Sequence, residues 1–192
     1  MALNLNIKAF FKANMTSESD QSKVQTGRFY DNTNTAAVCA HGDLVVIGTL
    51  DAHKWDNYAI TDMNVRKLTH PAAITDRVAI VDFDGTPFAT NGELFYGIGY
   101  RTIGQPPKAG ETTKVRVFEI GDTFYLADGN FAAPPVLEEY AAPTAGAGTW
   151  TPAAAQVAGA TNIRIEPITR PLTVGTVDEG TWYLCTVVSL AA

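Results

Sequence analysis

Short apolar runs separated by glycine and proline turns dominate this chain of 192 residues. Its 16 glycines and 10 prolines recur so often that a helix longer than a turn or two would be interrupted. The runs between them, such as residues 44–47, 65–68 and 77–83, are rich in β-branched and aromatic residues, which favour strands. The sequence therefore predicts an all-β protein, an antiparallel β-sandwich or barrel-like domain, with under about a fifth of its residues in helices.

Two turns carry the same dipeptide before an apolar strand, at Gly42-Asp43 and at Gly121-Asp122. A tight turn that feeds a strand with two apolar faces is typical of a strand deep in a sandwich or barrel. The second dipeptide lies between the runs 113–120 and 123–127. These two runs are therefore predicted to pair as an antiparallel hairpin.

Residues 1–35 show no sustained period of helix or strand. We expect an extended N-terminal arm over 1–35, followed by a single β-rich domain over 36–192. Within that domain, 22 of the 30 residues from 132 to 161 are Ala, Pro, Gly or Thr. This composition predicts a long irregular surface excursion, because proline cannot continue a helix or occupy a central strand.

Aromatic residues stand in both irregular stretches and allow two interpretations. They either fold back on their own domain or anchor the protein in a neighbouring subunit, since aromatic residues are frequent in the buried centres of interfaces. For residues 1–25, a disordered tail is a further alternative. The candidate partner-binding residues are Phe10, Phe11, Phe29, Tyr30, Tyr140 and Trp150.

Composition limits the classes of function. Hydrophobic residues make up 46% of the chain and charged residues 18%, so a packed core is expected and part of the surface is expected to be covered. The net charge of −6 argues against direct binding of nucleic acid, and no apolar run is long enough to cross a membrane. Cys39 and Cys185 stand far apart and are interpreted as apolar thiols.

One segment resembles a catalytic motif. Asp82 and Asp84 lie in Val-Asp-Phe-Asp-Gly-Thr, which resembles the first motif of the haloacid dehalogenase superfamily and gives the alternative function of a Mg-dependent phosphatase. That superfamily needs a parallel sheet with helical crossovers, whereas glycines and prolines crowd the residues between Asp84 and Lys114. We therefore predict no enzyme, no catalytic or metal-binding residue and no cofactor.

Strand and turn signals follow one another in a distinctive order from residue 38 to 188. They lie at Gly42–Gly48, at Tyr58 and Thr61, at Pro71 with Thr75, Asp76, Val78 and Ile80–Asp82, at Val115–Phe118, at Gly121–Phe124 and at Gly148–Trp150. This order resembles a family of small head proteins that decorate the capsids of tailed bacteriophages. The resemblance implies a protein made in the host cytoplasm and located on the capsid surface of the virion. It also implies that the protein binds the major capsid protein, with neighbouring copies of itself as further partners.

Overall fold

A computed structural model describes residues 8, 10–51, 65–82, 109–174 and 177–192. Strands account for 51% of the described residues and helices for 7%, which confirms the prediction of an all-β protein. No helix in these ranges is long and apolar enough to span a bilayer. In chain order the strands are β1 Phe10–Asn14, β2 Val24–Phe29, β3 Leu44–Leu50, β4 Val65–Thr69, β5 Ala79–Asp82, β6 Thr112–Val117, β7 Thr123–Ala127, β8 Tyr140–Pro143, β9 Trp150–Ala153, β10 Asn162–Val174 and β11 Val177–Ser189. The short helices are α1 Thr16–Ser19 and two 3-10 turns, Gln21–Lys23 and Asp128–Asn130.

Five of these strands close into a barrel in the order β2-β4-β3-β5-β6. β2 runs parallel to β4 and antiparallel to β6, and the other pairs are antiparallel. Apolar side chains fill the interior, and at β2 the backbone comes very close to Leu68. A Cβ atom on Gly27 would lie only 2.4 Å from Cγ of Leu68, so glycine makes room for this core residue. The buried residues of this cluster are Phe29, Cys39, Val45, Leu68, Ala79, Val81 and Val115.

The other six strands form an antiparallel sheet in the order β1-β7-β11-β10-β8-β9. The long hairpin of β10 and β11 is at its centre. A second core joins this sheet to the barrel, because β5 is buried on both faces: Ala79 and Val81 belong to the barrel interior, while Ile80 belongs to the cluster shared with the sheet. Phe118 lies in this shared cluster, stacked on Phe124 with ring centroids 5.3 Å apart.

The predicted hairpin of residues 113–120 and 123–127 does not form. β6 pairs with β2 and β5 of the barrel, whereas β7 pairs with β1 and β11 of the sheet. The Gly121-Asp122 turn therefore carries the chain from one sheet to the other. Phe118 enters the shared core directly after β6, so the chain leaves the barrel before β7 begins.

The two Gly-Asp turns have the same hydrogen bonds. The amide of Asp43 donates to the carbonyl of Ala40 at 3.1 Å, and its carboxylate accepts from the amide of Ala40 at 2.6 Å. Asp122 makes the same pair of bonds with Glu119, at 3.1 and 2.9 Å. Gly42 and Gly121 both have positive φ, 77° and 94°, which explains why glycine precedes each aspartate.

The expectation of an extended arm over residues 1–35 is wrong for the described part of that range. β1 is an edge strand of the sheet, β2 closes the barrel, and Phe10 is only 2% exposed. Three buried carboxylates bind the segment that contains β1. Lys8 lies 2.6 Å from Asp43, and Lys12 lies 3.5 Å from Asp82. The amide of Thr16 donates to Asp122 at 2.7 Å. Because the donors are polar residues, the segment shows no apolar period in the sequence.

The low-complexity stretch 132–161 is also more regular than expected. It contains β8 and β9, which continue the sheet beyond β10, and Trp150 at the start of β9 is fully buried. The prolines are tolerated because this is the border of the sheet: Pro143 pairs with Trp150, and Pro152 pairs with Ala141. At β8 and β9 the stretch therefore belongs to the six-stranded sheet and is not an irregular surface excursion.

Both cysteines are buried free thiols, in agreement with their interpretation as apolar residues. Burial raises the pKa of Cys39 to about 12 and also raises the pKa of Cys185. Both side chains therefore remain uncharged near neutral pH.

The position of Phe10 and Phe11 on opposite faces of β1 gives a matched pair of substitutions. Phe10→Ala is expected to lower the free energy of unfolding by about 3–5 kcal/mol, because it leaves a cavity in the shared core. Phe11→Ala, at a side chain that is 49% exposed, is expected to change it by less than about 0.5 kcal/mol. Urea unfolding of both variants checks this; equal losses of stability would contradict the placement of β1.

Deletion of residues 1–25 is expected to abolish the cooperative thermal unfolding transition. It removes β1 and the start of β2, and it leaves Asp43, Asp82 and Asp122 buried without the donors described above. Deletion of residues 1–7 is the control, because it leaves these contacts in place. A 1–25 deletion that melts cooperatively at the temperature of the full chain would show that this segment is not part of the domain.

Candidate protein-binding surface

Three of the six candidate partner-binding aromatics are core residues of their own domain. Phe10, Phe29 and Trp150 are each at most 5% exposed. Phe29 lies in the barrel interior, and Phe10 and Trp150 lie in the core shared with the sheet. The hypothesis that these side chains anchor the protein in a neighbour is therefore wrong, because each is already enclosed by its own chain.

Two further candidates, Tyr30 and Tyr140, are half-buried. The hydroxyl of Tyr30 donates to the carboxylate of Asp51 at 2.9 Å, and Arg28 pairs with the same carboxylate. Burial and the hydrogen bond to Asp51 raise the pKa of Tyr30. Tyr30 is thus part of an internal polar group, and the partner-binding role of Tyr140, in β8, stays a prediction.

Phe11, the sixth candidate, lies on the outer face of the sheet. Successive residues of a strand point to opposite faces, so the burial of Phe10 places Phe11 outward. There it lines a shallow groove together with Tyr125, Arg170 and Trp182. We call this feature the aromatic groove.

Strand register brings the four groove residues together from four adjacent strands. Phe11 of β1 is opposite Tyr125 of β7, with ring centroids 6.4 Å apart. Trp182 of β11, which follows β7 in the sheet, is opposite Arg170 of β10. The alternation of β7 explains the arrangement, since its residues on either side of Tyr125 are buried in the shared core.

Arg170 gives the aromatic groove a positive charge. Its guanidinium carbon lies 5.1 Å from the centre of the Tyr125 ring, a cation–π contact that holds the long side chain against the aromatic surface. The chain as a whole carries a net charge of −6. The groove therefore combines apolar rings with a cation, an arrangement that suits an apolar peptide carrying a carboxylate.

Sequence reasoning found Phe11 and missed Tyr125, Arg170 and Trp182. The run 123–127 was interpreted as apolar on both faces, which hides the outward position of Tyr125. Its intermediate exposure between the buried residues Phe124 and Leu126 is the pattern of a strand with one covered face. The other two residues join the groove only through the register of the β10–β11 hairpin.

Asp82, the first aspartate of the dehalogenase-like motif, lies in an antiparallel environment, because β5 runs antiparallel to both β3 and β6. Its carboxylate accepts a hydrogen bond from Nε of Arg116 at 2.5 Å. Burial alone would raise the pKa of Asp82, but the His41 imidazole, whose Nε2 lies 3.6 Å from the carboxylate, and the hydrogen bond from Arg116 outweigh it and lower the pKa to about 2. This carboxylate has the contacts of a structural ion pair, and Asp84 lies outside the described residues.

In the described ranges, no group of three or more His, Cys, Asp or Glu side chains is arranged to hold a metal ion. Comparison with known proteins finds no matching family model, no similar curated protein and no similar solved structure.

Asp82→Asn is expected to lower the free energy of unfolding at pH 7 by about 3 kcal/mol, because it leaves the buried guanidinium of Arg116 without its countercharge. The folded-state pKa of Asp82 is depressed to about 2, so its contribution is complete above the unfolded value of about 4. The contribution is lost as the pH falls from about 4 toward 2.

Urea unfolding of the wild type and of Asp82→Asn over this pH range tests the assignment. The difference in stability between the two proteins should shrink as the pH is lowered below about 4. A difference that stays constant down to pH values near 2 would contradict the ionised pair.

Proposed function

We propose that this chain is a structural virion protein that binds the outside of a tailed-phage capsid and decorates or stabilises it through protein–protein contacts. The observation that carries the proposal is the aromatic groove on an all-β body with few charges. Aromatic residues and arginine are enriched at protein interfaces, where they supply most of the binding energy. The resemblance to capsid decoration proteins supplies the class of partner.

Exposed apolar side chains outside the groove support the same proposed function. Large apolar side chains that are at least 41% exposed lie on several loops, on β3 and on β10 as well as in the groove. Single exposed apolar residues are common on soluble proteins, whereas a cluster of aromatic residues is typical of a surface that meets another protein. The exposed residues outside the groove are Val38, Leu50, Ile74, Ile120, Val136, Leu137 and Ile168.

On a capsid lattice, the affinity of each single contact can be low. Many equivalent sites lie side by side, so neighbouring copies that also touch each other are retained even when a single contact is weak. The sheet is suited to this role because hydrogen-bonded strands fix the groove residues at constant spacing. The partners in this proposal are the major capsid protein and neighbouring copies of the chain.

Charge supports a position outside the shell. A protein with a net charge of −6 is repelled by the phosphates of packaged nucleic acid, while a protein partner presents no such uniform field. The proposal therefore requires no contact with nucleic acid and no cofactor.

Cosedimentation with shells assembled from the major capsid protein of the phage proposed to carry this chain tests the proposal. The wild-type chain is expected to pellet with the shells at a saturating, fixed number of copies. Phe11→Ser combined with Tyr125→Ser is expected to weaken retention about tenfold, equivalent to about 1.4 kcal/mol, because it removes two rings of the groove.

Ile74→Ser is the matched control, since Ile74 is 41% exposed but does not line the groove. It is expected to leave retention unchanged. A wild-type chain that stays in the supernatant at every shell concentration would sink the proposal.

A further inference from the structure

A second exposed feature complements the aromatic groove in polarity and charge. Residues 132–139, which we call the Pro-Pro loop, connect the 3-10 turn after β7 to β8. The loop is fixed at both ends. The amide of Ala132 donates to the carbonyl of Trp150 at 2.8 Å, and the amide of Glu138 donates to the carbonyl of Ile165 at 2.7 Å.

Between these ends the loop presents apolar side chains to solvent. Val136 is 52% exposed and Leu137 is 41% exposed. Pro134 and Pro135 fix their own φ angles, and a residue that precedes proline is restricted to extended conformations. The loop therefore loses little conformational entropy when it binds, because its backbone is already restricted.

The loop ends in two carboxylates, Glu138 and Glu139, directly after its apolar residues. Glu138 is exposed, and Glu139 is half-buried. The loop turns at this end, because the amide of Glu139 donates to the carbonyl of Val136 at 3.4 Å and Glu138 has a φ of 65°. An exposed turn with apolar side chains and a carboxylate matches a groove that is lined by aromatic rings and carries an arginine. Aromatic rings at interfaces pack against apolar side chains, and arginine pairs with carboxylates.

We infer that the aromatic groove of one copy binds the Pro-Pro loop of a second copy of this chain. Val136 and Leu137 contact the rings of Phe11 and Tyr125, and Glu138 pairs with Arg170. Each copy has one loop and one groove, so a ring or array of copies covers both features on every member. The inference rests on the proposed function for the lattice that brings copies together, and it names the occupant of the groove.

Analytical ultracentrifugation of the full chain tests the pairing without any capsid. The wild-type chain is expected to self-associate as its concentration rises. Arg170→Glu alone, or Glu138→Lys alone, is expected to weaken self-association about tenfold. The chain that carries both Arg170→Glu and Glu138→Lys is expected to return to within about threefold of the original affinity.

The double variant is the decisive arm, because a general loss of folding cannot produce recovery. Arg170 is exposed, and an unchanged urea midpoint of the Arg170→Glu protein confirms that the variant is folded. Absence of self-association, or self-association that is equally strong in the wild type and the three variants, overturns the inference.

Shell cosedimentation separates this inference from the proposed function. If the wild-type chain pellets with shells but does not self-associate, the groove serves the capsid protein, and only the pairing between copies is overturned. If the chain self-associates and does not pellet, the pairing stands and the capsid proposal fails.

Discussion

The fold depends on a short N-terminal segment whose donors satisfy three buried carboxylates. A carboxylate withdrawn from water is costly unless charged or hydrogen-bonding partners surround it. The segment supplies a donor at every fourth position. Asp82 lies in β5 of the barrel, and Asp43 lies in the turn that leads into β3 of the barrel. Asp122 lies in the turn that leads into β7 of the sheet. β1 thereby joins the edge of the sheet to the barrel. The donors are Lys8, Lys12 and Thr16.

The same segment creates the outer surface. Phe10 and Lys12 share the inward face of β1, so Phe11 between them is turned outward beside Tyr125. Without β1 docked on β7, the aromatic groove would lose one wall. One strand of five residues therefore contributes both to the shared core, through Phe10, and to the aromatic groove, through Phe11.

Local features of the fold were predictable, and long-range pairings were not. The run 123–127 coincides with β7, and the repeated Gly-Asp dipeptide corresponds to two turns with the same hydrogen bonds. These depend on adjacent residues. The contact between Thr16 and Asp122 spans 106 positions, and a polar donor gives no apolar period that would reveal it. For the same reason the sequence predicted an arm where β1 forms. Four strands contribute to the aromatic groove, and of its residues only Phe11 was predicted from the sequence.

The most direct test of the proposed capsid role is a cryo-EM reconstruction of the virus particles on which this chain is proposed to lie. The account predicts density for a barrel joined to a six-stranded sheet on the outside of the shell, at a fixed lattice position, with the outer face of the sheet against another protein. Particles whose outer surface lacks this density, while the chain is found inside the shell or only free in the lysate, would contradict it.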